Sequence, residues 1–164
     1  MRFSLLLVLA LLSCSASDDA AGDEAGDGRC GPSEGVVATV VDGDTIDLES
    51  GERVRYLMID TPESTTEVEC WGPEAKQANT ELVAGKTVSL AYDVECEDDY
   101  GRLLAYVSRG ETVINEVMVE RGHACVLHIP PNGDALVETY ESLAYAAEML
   151  DKGLWAACDP NPCQ

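Results

Sequence analysis

The sequence predicts one α+β domain, mainly β. Two observations supply the elements: β-branched and alternating runs between Val36 and Ile59 read as three antiparallel strands in succession, and stretches with helical composition follow after Pro73 and Ala135. A third sets the scale, because 164 residues hold one ordinary core plus tails and leave no room for a second domain.

The chain opens on a targeting pattern. Met1-Arg2 is a short positive region, Phe3 to Leu12 is apolar but too short to span a bilayer, and small residues follow. Export is the expectation. Leu11-Leu12-Ser13-Cys14 resembles a bacterial lipobox, which makes residues 1–14 a signal peptide ending at a lipidated Cys14 and gives the mature chain a membrane tether; ordinary cleavage near Ala16, releasing a secreted protein, is the alternative. Residues 15–34 are rich in Asp, Gly, Ala and Ser and read as a disordered acidic tether. The folded domain is expected over 35–156, and 157–164 form a Cys- and Pro-rich extension.

Within the domain, Val36 to Val41, Thr45 to Leu48 and Arg53 to Ile59 are the first three strands, with Ser50-Gly51 turning between the second and third. Asp42-Gly43-Asp44 marks the first turn. Asp60-Thr61-Pro62-Glu63 ends the third strand, where Pro62 takes the chain out of the sheet. Two carboxylates at neighbouring strand ends, with a backbone carbonyl, make a set of hard oxygens suited to Ca²⁺ or Mg²⁺. Pro73 opens a helix through Leu82 that Gly85 closes. Thr87 to Tyr92 and Leu103 to Val107 are further strands, and the acidic run between them, with Glu95, Glu97, Asp98 and Asp99, reads as a solvated loop. Val113 to Arg121 and Ala135 to Lys152 carry apolar residues at helical spacing and end at Gly122 and Gly153. His123, Cys125 and His128 lack a fourth zinc ligand, so zinc is not expected.

Three motifs in order, Asp42-Gly43-Asp44-Thr45, then Arg55 with Asp60-Thr61-Pro62-Glu63, then Asp98-x-Tyr100-Gly101-Arg102, resemble those of the staphylococcal nuclease (thermonuclease) family. The resemblance spans roughly Gly35 to Trp155. It implies a five-stranded OB-fold barrel with three helices, and a Ca²⁺-dependent nuclease acting on DNA and RNA with 3′-phosphate products. It further implies that Asp44, Asp60 and Thr61 hold the metal, Arg55 and Arg102 grip the scissile phosphate, and Glu63 activates water. Asp42 and Tyr100 then support the site from behind, and His128 is a candidate substrate contact where the family has aromatic residues. A monomer is expected.

Seven cysteines leave six once Cys14 is set aside: Cys30, Cys70, Cys96, Cys125, Cys158 and Cys163. An even set suits an oxidising compartment, and the sequence alone leaves the pairing open. The resembled fold places Cys70 and Cys96 on two loops beside the site and so favours that bridge, with the others tying the termini to the barrel.

A formal charge of −21, from 31 acidic and ten basic side chains, excludes a protein that captures nucleic acid by a general basic surface. Positive charge must be concentrated where a phosphate sits. The acidic surface also keeps a second reading open, an OB-fold binding or scaffolding module of the cell envelope that does no chemistry.

Overall fold

The computed structural model describes residues 30–163. The expected signal peptide, the lipobox-like Cys14 and most of the expected acidic tether therefore lie outside the described residues.

Strands β1 (Glu34–Asp42), β2 (Thr45–Leu48) and β3 (Arg53–Tyr56) form the expected antiparallel series. After the short β4 (Ile59–Asp60) and helix α1 (Gly72–Val83), β5 (Thr87–Ala91) returns to pair with β1, and β6 (Leu103–Arg109) pairs with β5. β3 then meets β6 in parallel, Val54 opposite Leu103 and Arg55 opposite Leu104, which closes five strands into a barrel. Closure removes the sheet edges. The remaining elements are β7 (Thr112–Val113), α2 (Ile114–Glu120), β8 (Cys125–Val126), α3 (Val137–Met149) and the short α4 (Leu154–Ala157).

Alternation along the strands fills the barrel. Val37, Ile46, Val54, Tyr56, Val88, Ala105 and Val107 are all essentially inaccessible, and Val83, Ile114, Met118 and Tyr140 seal it from the helices. Two buried asparagines tie this core to the loops above it. Asn79 of α1 accepts the Tyr56 hydroxyl at 3.0 Å and donates to the Asp42 carbonyl at 3.1 Å, while Asn115 of α2 donates to the Leu57 carbonyl at 2.9 Å and accepts the Val107 amide at 2.8 Å. Both were invisible as periodicity, since each is a polar residue on an apolar helix face.

The third strand is not the unbroken run expected from Arg53 to Ile59. Met58 adopts a left-handed conformation (φ 67°) and divides it. The cause is a change of partner: β3 lies on β6, whereas β4 pairs with β8, Ile59 opposite Val126 and Asp60 opposite Cys125. The domain also begins earlier than residue 35. Glu34 is already in β1, Ser33 accepts the Leu90 amide at 2.8 Å, and Tyr92 donates to the Pro32 carbonyl at 2.7 Å, so residues 30–34 belong to the fold rather than to a tether.

Candidate active site

The turn between β1 and β2 is built around two carboxylates with different tasks. Asp42 is buried and accepts the Gly43 amide at 2.9 Å and the Ser64 amide at 3.4 Å, joining the turn to the segment after β4. Asp44 is buried as well. Its Oδ1 accepts the Thr45 hydroxyl at 2.9 Å, and its Oδ2 accepts both the Thr61 amide at 2.8 Å and the Thr61 hydroxyl at 2.9 Å. Thr61 thus clamps Asp44 through N–H and O–H, a role beyond the carbonyl ligand expected of it.

Asp60, on β4, reaches the same place. The Arg55 guanidinium lies between the two acids, with Nη2 2.5 Å from Asp60 Oδ1 and 3.2 Å from Asp44 Oδ2, while Nη1 donates to the carbonyls of Tyr56 at 2.9 Å and Ile59 at 2.6 Å. Arg55 is only 11% exposed, so it acts as counter-ion to the acid pair and as the staple across the β3–β4 break. Burial raises the Asp60 pKa; Arg55 opposes the rise, and the charges of Asp44 and Glu69 reinforce it.

Glu63 stands exposed just beyond. Its amide donates to Glu69 Oε2 at 2.9 Å and its carbonyl accepts the Glu69 amide at 2.8 Å, a two-bond ring that closes the polar loop 64–68. Its pKa is raised first by burial and then by Asp42, through both charge and a hydrogen bond, with Asp44 and Glu69 adding to it. Gly72, the first residue of α1, packs against this ring: a Cβ there would sit 2.1 Å from the Glu63 carbonyl oxygen and 2.6 Å from its carbon. Backbone cannot yield as a flexible side chain would. Gly72→Ala is therefore expected to destabilise the domain by about 1–3 kcal/mol and to shift Glu63, seen as a lower urea midpoint together with changed amide resonances for residues 62–70.

The fourth segment is the loop before β6. Asp98, expected to be a solvated charge, is its organiser. Oδ1 accepts the amides of Tyr100 at 2.9 Å and Arg102 at 3.0 Å, and Oδ2 accepts Arg102 Nε at 2.6 Å. The four-residue interval in Asp98-x-Tyr100-Gly101-Arg102 is the signal that could have marked it, a carboxylate opening a turn closed by an Arg. Among the described residues the terminal nitrogens of Arg102 meet no protein acceptor, and Tyr100, 86% exposed, lies under the guanidinium at 5.5 Å. Partial burial pushes the Asp98 carboxyl up, but the three hydrogen bonds outweigh it and hold its pKa below the usual 3.8. A depressed folded value stabilises above the unfolded value and ceases to do so as pH falls through the folded one. The stability difference between wild type and Asp98→Asn should accordingly persist at neutral pH and shrink below pH 3.8, which denaturant titrations across that range would record.

Arg55 and Arg102 line one cleft of about 340 Å³, whose walls include Met58, Leu104, Leu127, Ile129 and the buried Asn132. His128 is not among its lining residues. Leu127 and Ile129 take the cleft positions, while His128 Nε2 is 2.8 Å from Asp134 Oδ1. Of the three residues weighed as zinc ligands, Cys125 is disulfide-bonded and His123 Nδ1 accepts the Trp71 indole N–H at 3.0 Å.

The disulfides differ from the favoured Cys70–Cys96 bridge. The pairs are Cys30–Cys96, Cys70–Cys158 and Cys125–Cys163, with Cα separations of 4.9, 5.8 and 5.3 Å. Cys96 is bonded to Cys30, in the segment that leads into β1, and Cys70 lies against the end of α4, where its sulfur is 3.7 Å from the Ala157 carbonyl. Each pair secures a different part of the site. Cys96 precedes the Asp98–Arg102 turn, Cys70 follows Glu69, and Cys125 is the ladder partner of Asp60.

Asp44 and Asp60 flank Arg55, and the charges of Asp42, Glu63 and Glu69 lie close enough to act on this group, an excess of negative charge made of hard oxygens. Among the described residues no three His, Cys, Asp or Glu are arranged as a ready metal cage. The donor chemistry fits a hard divalent cation held by few protein ligands and completed by water.

A barrel of this topology, with carboxylates at the strand ends and an Arg on the loop before β6, defines an OB-fold of nuclease type. The chain belongs to the family described as "Staphylococcal nuclease homologue", which matches residues 53–157. It is 38% identical over 103 residues to a thermonuclease of Staphylococcus intermedius, covering 59% of this chain and 61% of that protein. A thermonuclease of Staphylococcus hyicus is 33% identical over 126 residues, 73% of this chain and 74% of that one. An uncharacterized protein of Bacillus anthracis is 38% identical over 131 residues, 75% of this chain and 61% of that protein, so the chain spans about three fifths of the length of two of these relatives.

Proposed function

We propose that this protein is an exported nuclease that hydrolyses phosphodiester bonds of DNA and RNA with little sequence preference, dependent on Ca²⁺ and leaving 3′-phosphate ends. The observation that carries the reading is the convergence of Asp44, Arg55, Asp60 and Glu63 at one end of the barrel, with Arg102 on the same cleft as Arg55.

Asp44, Asp60 and the Thr61 carbonyl would hold the cation, which when bound supplies a Lewis-acid contact to a phosphate oxygen. Arg102 presents the unengaged edge of its guanidinium to the equatorial oxygens, and its planar fork suits them better than an ammonium would. Arg55 keeps the two acids in register and adds charge to the same phosphate. Glu63, its pKa raised above the usual carboxylate value by burial and by Asp42, takes a proton from the attacking water as the phosphorus–O5′ bond breaks, the departing O5′ is protonated from solvent, and the phosphate stays on the 3′ side. Leu127 and Ile129 in the cleft offer apolar contact without base-specific hydrogen bonds, in keeping with weak sequence preference.

Digestion of single-stranded DNA with Ca²⁺ and with chelator, product ends mapped, tests this. Chelator-sensitive cleavage giving 3′-phosphates is expected; tight binding with no turnover would instead support the silent OB-fold module. Export is supported by three disulfides, which persist in oxidising compartments. The tether through lipidated Cys14 is read by mass spectrometry of the mature N-terminus, and the monomer by light scattering.

A further inference from the structure

A second cleft adjoins the first and is used by nothing in the mechanism above. It encloses about 710 Å³ and is lined by Asp47, Leu48, Gly51, Arg53, Tyr100, Gly101 and Arg102. Tyr100 and Arg102 are common to both clefts and form the ridge between them. Gly51 and Gly101 stand on its walls with nothing within 4 Å of where a Cβ would be, so ligand backbone has room to approach.

Its cation is Arg53. On β3, Arg53 and Arg55 are two residues apart and share a face, a separation of about 6.6 Å at ~3.3 Å per residue. That is on the scale of successive phosphates along an extended strand. Ten basic residues serve a chain of net charge −21, and three of them, Arg53, Arg55 and Arg102, line these two joined clefts. Arg53 is half exposed and engages Asp47 of β2, its direct cross-strand partner, by Nε at 2.7 Å and Nη2 at 2.9 Å, which leaves Nη1 without a protein acceptor among the described residues. An exposed pair of this kind is worth roughly 0–1 kcal/mol, so sharing or exchanging the carboxylate for a phosphate costs little.

We infer that this cleft is a second nucleotide subsite, in which Arg53 binds the phosphate next to the scissile one and Tyr100 presents an aromatic face to a base. The inference rests on the nuclease reading and deepens it: the preferred substrate is a single-stranded polynucleotide long enough to fill both clefts. Asp47 is a brake on that subsite, because it occupies the Arg53 fork and repels phosphate.

The test compares kcat/KM on a single-stranded octanucleotide with that on a dinucleoside monophosphate, which has only the scissile phosphodiester. The octanucleotide-to-dinucleoside ratio is expected to fall about tenfold in Arg53→Gln, the scale of one charge-assisted contact, through KM rather than kcat. Arg53→Lys should restore part of it, and Asp47→Asn should raise the ratio above wild type. Equal losses on both substrates, or an Asp47→Asn change in the same direction as Arg53→Gln, would overturn the subsite and mark the pair as a strand-to-strand brace. Should wild type cut neither substrate, the nuclease reading fails separately. Fluorescence anisotropy of the same oligonucleotides then decides the subsite, length-dependent affinity lost in Arg53→Gln upholding it and unchanged affinity refuting it.

Discussion

Arg55→Ala is expected to lose catalysis and stability together, whereas Arg102→Ala loses mainly catalysis. On the proposed function both remove a charge aimed at the transition state, and each should lower kcat/KM by about 10²–10³ or more, the effect of deleting one preorganised donor. Their surroundings separate them. Arg55 is 11% exposed, and Asp44, its neighbour at 3.2 Å, is 7% exposed. Removing the guanidinium leaves Asp44 and Asp60 facing one another and the carbonyls of Tyr56 and Ile59 without their donor, a change on the order of 3–5 kcal/mol. Arg102 is 30% exposed and holds one carboxylate, Asp98. Urea unfolding beside single-turnover cleavage reads both quantities. An Arg55→Ala protein as stable as Arg102→Ala would mean that the acid pair does not depend on its buried counter-ion.

Reduction of the disulfides is expected to unfold the domain or bring it to the edge of unfolding. The bridges close loops of 66, 88 and 38 residues. Chain entropy alone assigns each about 4 kcal/mol, and domains of this kind hold only ~5–15 kcal/mol in total. Circular dichroism in native buffer with and without reductant is the measurement; a reduced protein with wild-type thermal stability would show that the barrel core suffices. Because each bridge secures its own segment of the candidate site, the double variant Cys125→Ser with Cys163→Ser should disturb Asp60 first, and Cys30→Ser with Cys96→Ser should disturb the Arg102 turn first.

The two predictions draw on different kinds of legibility. That Arg55, Asp60 and Glu63 lie at one end of the barrel was readable because they fall within one strand run and the turn after it, where alternation and Pro62 specify the backbone. That Asp98 grips Arg102 was readable in principle from a four-residue interval, yet the acidic run around it concealed it. Glu69 carried no such signal. Its bond to the Glu63 amide depends on the path of a loop, and loop paths follow from what they pack against, here the Gly72 end of α1.

The order of the main strands and helices, the glycines just after α1 and α2, and the acidic turn are written in the chain, because local backbone preference and side-chain period act over a few residues; the last long helix stops at Met149, short of the expected Lys152, and Gly153 instead caps the start of α4. The pairing of Cys30 with Cys96 and of Cys70 with Cys158, the break at Met58, and the place of Arg55 between two acids were settled by the closed barrel. They depend on which distant segments are brought within bonding range when β3 meets β6, and no short stretch of sequence records that distance.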